Sequence, residues 1–207
     1  MGADYNQKES TIIKDAFILF FITLIAGILL SMVNEITKGP IAEAEVAAKQ
    51  KGYKQVFAVA NNFKEDVSLN EELEKAEFSG TEISEILVAV DKEENTIGYV
   101  MSMVAKEGYG GDISFVLGVK TSGEITGLSV LSHSETAGLG ANCTSQEFQA
   151  QFENLQGPTI AYTKEGKNGN NQIDALSGAT ITTKALTNAV NSGLEFLQEK
   201  GCFTDLS

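Results

Sequence analysis

The order of apolar patterns along this chain predicts an α+β fold: a single N-terminal transmembrane helix followed by one antiparallel-sheet domain with packed helices. Three observations predict it. Residues 16–33, AFILFFITLIAGILLSMV, contain no charged side chain. Four short runs rich in Val, Ile, Leu and Met follow between residues 86 and 131, with turn-forming residues between them, as consecutive antiparallel strands require. From Thr182 onward Leu186, Val190, Leu194 and Leu197 recur at three- and four-residue spacing until Gly201, which is the pattern of an amphipathic helix with its stop signal.

The elements follow in order. Residues 1–15 form an N-terminal tail. Residues 16–33 are just long enough to cross a bilayer core of about 30 Å at about 1.5 Å per residue. A cleaved signal peptide fits less well, because the apolar run exceeds a typical signal core and no small-x-small cleavage site precedes Glu43. A buried core helix fits less well because the segment is apolar all round. A retained anchor is therefore expected. Lys8 and Lys14 precede the span and Lys38, Lys49 and Lys51 follow it, so the lysine count does not settle its orientation. Residues 34–85 read as a connecting helix and loop: a hinge at Gly39 and Pro40, a helix over 42–60, and a polar stretch over 61–85 with short helical pieces. The strands are expected at 86–90, 97–104, 113–119 and 125–131. A short helix over 144–155, a Gly-, Asn- and Lys-rich excursion over 157–172 with a strand at 159–162, and the final helix complete a domain spanning 86–207.

Composition narrows the function. The 207 residues carry a formal net charge of −13, with fifteen lysines and no arginine. Such a surface repels nucleic-acid phosphates, so DNA and RNA are excluded as partners. Without arginine, a bound phosphate has only backbone amides, hydroxyls, lysines or a covalent bond to hold it. The two cysteines, Cys143 and Cys202, are too few for a disulfide framework, and neither they nor the lone His133 have the spacing of a metal site.

The stretch Asp174-Ala-Leu-Ser-Gly-Ala-Thr-Ile-Thr-Thr183 carries the chemistry. It runs into the final helix, so free N–H groups and the positive end of the helix dipole face Ser177 to Thr182. A phosphate suits that position. Gly178 and Ala179 are small enough for a bulky nucleotide to approach the backbone, Thr180 offers the hydroxyl that a phosphodiester needs, and Ser177, Thr182 and Thr183 are candidates to hold the phosphate. Two further loops are glycine-rich. Gly108-Tyr-Gly-Gly-Asp112 joins two strands, where Gly110 and Gly111 let backbone approach a ligand and Tyr109 offers an aromatic face. His133-Ser-Glu-Thr-Ala-Gly-Leu-Gly140 follows the fourth strand, where Glu135, Thr136, Gly138, Leu139 and Gly140 make a candidate cradle for a flat ring. Each loop read alone is more simply a surface turn.

GYGG, HSETAGLG and DALSGATIT, in that order, resemble the FMN-binding domain of the G subunit of the Rnf complex, the membrane ion-translocating ferredoxin:NAD oxidoreductase. The C subunit of the sodium-pumping NADH:quinone reductase is a close relative. The similarity covers essentially the whole chain, and Ala137 stands where members usually have proline. The resemblance implies that a flavin transferase moves FMN (flavin mononucleotide) from FAD onto Thr180 as a covalent phosphoester. It also implies a single-pass cell-membrane protein with the FMN domain on the extracytoplasmic side. The flavin would relay electrons among other membrane and iron–sulfur subunits, coupled by the assembly to Na+ or H+ translocation, and no residue of this chain need act as a general acid or base. Alternative readings are a quinone-reductase C subunit, a flavinylated extracytoplasmic reductase of a small acceptor, and an anchored binding module without flavin.

Overall fold

The computed structural model describes residues 3–157, 159–169 and 171–204, and its architecture is α+β as expected. The chain divides into two units, residues 1–47 and 48–207.

The first unit is helical. Helix α1, Ala3–Val56, begins there and runs through the apolar segment, which reaches a mean hydropathy of 2.7 over eighteen residues, long and apolar enough to cross a membrane. Within it Thr23 turns inward on its own backbone: its hydroxyl donates to the Leu19 and Phe20 carbonyls at 3.0 and 2.9 Å, which is how a hydroxyl is tolerated in lipid. The hinge expected at Gly39 and Pro40 does not form, and Pro40 lies inside α1. A proline removes one helical hydrogen bond. The Ala-, Glu- and Lys-rich residues that follow it have high helix propensity and carry the helix on.

The second unit is built on five antiparallel strands in the order β1-β2-β3-β4-β5: β1 Asn62–Glu65, β2 Thr81–Val90, β3 Thr96–Ala105, β4 Ile113–Lys120 and β5 Ile125–Ser132. The meander is continuous, each strand pairing with the next. Residues 61–85, expected as a loop with short helical pieces, hold one such piece, α2 (Val67–Leu73), but also supply two unforeseen strand segments, β1 and the first half of β2. Asn70 holds this piece to the sheet, accepting from the Ile86 N–H at 3.0 Å and donating to the Ile86 carbonyl at 3.1 Å. The expected short helix over 144–155 is three tight turns, a 3-10 turn at Gly140–Thr144, α3 at Gln146–Gln149 and a 3-10 turn at Ala150–Phe152. Strand β6, Ala161–Thr163, lies within the predicted excursion, but pairs in parallel with an unforeseen β7, Gln172–Asp174.

Both faces of the sheet are covered, and the period-two alternation shows which residue serves which face. Met101, Met103, Phe115, Leu117 and Ile113 point into the main core beneath helix α4, Thr180–Glu199, which contributes Leu186, Val190, Leu194 and Leu197. Val100 and Val116 point the other way, onto Tyr53, Val56 and Phe57 at the end of α1 and just beyond it. The Tyr53 hydroxyl donates to Glu85 at 2.7 Å and lies 2.8 Å from the Ser102 hydroxyl. Cys143 and Cys202 are buried free thiols.

Candidate functional site

The three glycine-rich motifs, distant in sequence, meet where α4 begins. The β3–β4 turn carries Gly108 to Asp112, the loop after β5 carries His133 to Gly140, and the turn after β7 carries Ser177 to Ala179. The sheet order makes this meeting obligatory, because the β3–β4 turn and the end of β5 lie at the same end of adjacent antiparallel strands. Helix α4 then crosses the sheet with its first turn at that end.

Between them is a cavity of about 470 Å³. One wall is the start of α4, with Gly178, Ala179, Thr180 and Thr182. Glu135, Thr136, Leu139 and Gly140 form the facing wall, and Tyr109 closes a third side. Nine of the residues predicted from sequence therefore line one cavity. Ile181, also lining it, was not foreseen, because an apolar residue in a helix's first turn is read as core when it is met in sequence. Ile181 is in fact 52% exposed, Tyr109 70% and Leu139 44%, so three large apolar side chains ring the cavity instead of filling the core.

The N-terminus of α4 is bare. Its N-cap residue is Ala179, which offers no side-chain acceptor, and the first turn holds no acidic residue. Most helices satisfy their first N–H groups with Ser, Thr, Asp or Asn at this position. A bare helix start facing a cavity is an anion site in geometry and in dipole. Thr180, the first residue of α4, is half-buried and presents its side chain to the same space. Gly178 precedes it at φ +71°, a left-handed turn that a side chain would strain.

Two predicted phosphate-holding threonines are engaged elsewhere. The buried Thr183 hydroxyl donates to the Ala179 carbonyl at 3.1 Å and accepts from the Leu176 N–H at 3.0 Å, so it fastens the motif to the helix. The Thr182 hydroxyl donates to Glu135 at 2.5 Å. Ser177 is exposed and lies outside the cavity lining, as do Gly110, Gly111 and Gly138.

Glu135 is the most connected residue here. It is buried, yet its carboxylate takes both the Thr182 hydroxyl and, at 2.9 Å, the Gly110 N–H. Its backbone N–H donates to His133 Nδ1 at 3.1 Å, which shapes the start of the loop. Gly140 makes room for this arrangement: a Cβ there would stand 2.3 Å from Glu135 Oε2 and 2.6 Å from Thr182 Oγ1. Burial, with the Glu135 charge adding to it, pushes the neighbouring Cys143 thiol up to about 11, so it is a neutral packing group. Among the described residues no cluster of His, Cys, Asp or Glu is placed to bind a metal.

A cavity of this volume, with a bare helix start for an anion, a free hydroxyl beside it and an apolar rim for a flat ring, fits a flavin nucleotide.

Comparisons with known proteins bear on the same residues. Residues 108–195 match the family described as the FMN-binding domain, and residues 1–56 match the RnfG N-terminal region. The G subunit of the Na+-translocating ferredoxin:NAD+ oxidoreductase complex of Acetobacterium woodii is 30% identical over 191 residues, covering 90% of this chain and 92% of that one. The G subunit of the ion-translocating oxidoreductase complex of Methanosarcina acetivorans is 32% identical over 193 residues, covering 93% and 96%. Among solved structures, the C subunit of the Na+-translocating NADH-quinone reductase of Parabacteroides distasonis is similar at a TM-score of 0.49 and 23% identity, covering 58% of this chain and 63% of that one. Relatives at 30% identity or more that align over nearly their whole length establish descent as well as likeness, and this chain belongs to the family of G subunits of ion-translocating, Rnf-type oxidoreductase complexes.

Proposed function

We propose that this chain is a membrane-anchored flavoprotein subunit that carries FMN on Thr180 and relays electrons within a ferredoxin:NAD oxidoreductase complex coupled to Na+ or H+ translocation. The observation that carries this is the placement of Thr180: first residue of a 20-residue helix with no side-chain cap, on the wall of a cavity ringed by apolar side chains. FMN, when bound, supplies a ring that accepts and donates electrons singly or in pairs. The protein supplies position and shielding.

Each group of residues has a part in this. The Thr180 hydroxyl forms the phosphoester: a flavin transferase delivers FMN from FAD, the Thr180 oxygen bonds to the FMN phosphorus, AMP leaves and the threonine gives up its proton. The bare N–H groups of the α4 start meet the phosphate charge. Tyr109, Leu139 and Ile181 offer apolar surface that keeps water from a ring. With no arginine in the chain to clamp a phosphate, a covalent bond is what retains the nucleotide. The anchor holds the domain at the membrane on the extracytoplasmic side, where free FMN is scarce, beside the other membrane and iron–sulfur subunits. One span without a charged residue within it does not conduct ions alone, so translocation is a property of the assembly.

Intact mass and in-gel flavin fluorescence of the chain and of Thr180→Val, each expressed with a flavin transferase, test this. The wild type should gain the mass of one FMN less one water, and the variant none. An unmodified, colourless wild type alongside an active transferase would leave an anchored binding module in place of the electron carrier.

A further inference from the structure

We propose that Glu135 is the positioning residue of the site: a buried carboxylate that pins the β3–β4 turn and the first turn of α4 to the loop that carries it, so that the cradle is closed before any cofactor is attached. This rests on the reading of the cavity as the FMN site, and goes beyond it in assigning how the site is built. Glu135 is 8% exposed, and each of its oxygens is matched to one neutral donor, Oε1 to the Gly110 N–H at 2.9 Å and Oε2 to the Thr182 hydroxyl at 2.5 Å. The donors belong to segments more than twenty and more than forty residues away in sequence, so one side chain joins all three motifs.

The surroundings are shaped to the carboxylate. A Cβ at Gly108 would come within 2.8 Å of Glu135 Oε1, one at Gly140 within 2.3 Å of Oε2, and one at Gly110 within 2.1 Å of the Ser134 carbonyl. Glycines at 110 and 140 are thus explained by close approach to one buried acid and its loop, while at Gly108 the carbonyl of Gly111 in the same turn, 2.1 Å from a Cβ, is the tighter constraint. The carboxylate also sits against the first turn of a helix that has no acidic residue of its own there. By engaging Thr182 from the side, Glu135 leaves the axial N–H groups and the Thr180 hydroxyl facing the cavity. An acid with each oxygen already accepting one bond in this way orients the loops that carry its donors.

The test uses the full chain in detergent, made without a transferase, and follows amide hydrogen exchange. In Glu135→Gln and Thr182→Val, segments 108–112 and 133–141 should exchange about tenfold faster or more, as loss of a charge-assisted bond to a buried group predicts, while β3 and β4 stay protected. Thr182→Ser, which keeps the hydroxyl, should restore slow exchange. With a transferase added, Glu135→Gln should gain flavin mass more slowly than wild type and Thr182→Ser at the wild-type rate. Unchanged exchange in both loops, or loss of protection throughout the sheet, would overturn the proposal. The exchange result stands even if the wild type proves to carry no FMN, so failure of the pin and failure of the flavin reading are told apart.

Discussion

Gly140 shows how little freedom the site leaves to a single residue. It is buried between Glu135 and Thr182, and a methyl group there would meet both side-chain oxygens well inside van der Waals contact. Gly140→Ala should therefore cost about 1–3 kcal/mol in denaturant unfolding, as overpacking does, and a midpoint equal to wild type would show that the loop yields freely. On the opposite face of the sheet, burial raises the Tyr53 hydroxyl from 10.0 to about 12, with Glu85 adding to the rise and Ser102 opposing it. The folded chain keeps this proton at a pH where an unfolded tyrosine has lost it. Stability from Tyr53 is complete below pH 10.0 and drains away as pH climbs toward 12. Tyr99 behaves likewise, raised to about 12 chiefly by burial, so Tyr53→Phe should flatten the alkaline fall in unfolding free energy without abolishing it. An unaltered slope between the two pH values would refute the assignment.

At the level of elements, the apolar span, the strands β3, β4 and β5 and the helix α4 were legible in the sequence, because each shows a local signal: an unbroken apolar run, short apolar runs between turn residues, or a helical period. What was not legible depends on partners far away in the chain. Strand β1 is four residues with three of them exposed, a strand only because Val90 and its neighbours are there to pair with it. Strand β7 is three residues whose alignment relies on a side chain: Gln151 accepts from the Asp174 N–H at 2.7 Å. Within the site the glycine-rich loops and Thr180 could be found by motif, since glycine and hydroxyl spacing survive in one dimension. The division of labour among Glu135, Thr182 and Thr183 could not, because it is set by which hydroxyl faces which loop. The excursion leading to the motif is held to α4 by Asn191, which accepts from the Ile160 N–H at 2.7 Å and donates to its carbonyl at 2.9 Å. Asn191→Ala strands a buried amide and should cost about 1–3 kcal/mol, with faster exchange confined to residues 159–174. Global loosening instead would mean that the excursion is part of the main folding unit.

For the whole molecule, a strongly acidic, lysine-only chain is tied to a helix that can cross a bilayer. The full chain should remain in the membrane fraction after an alkaline carbonate wash, and a version beginning at residue 48 should be released. A reporter fused after residue 204 should be active only when it is of a kind that works outside the cytoplasm, and activity of a cytoplasmic reporter would reverse the proposed orientation. The core of the sheet bears on timing. Strands β1 to β5 are all made before α4, yet the face carrying Phe115, Leu117 and Met101 is covered only when α4 arrives. A meander without α4 would present a bare apolar face, the kind of surface that sticks to its neighbours. Because Thr180 opens that last element, its hydroxyl takes its place on the cavity wall in the same event that closes the core. If Thr180 accepts the flavin as proposed, the acceptor hydroxyl, the helix start and the cavity come together only in chains whose core has closed.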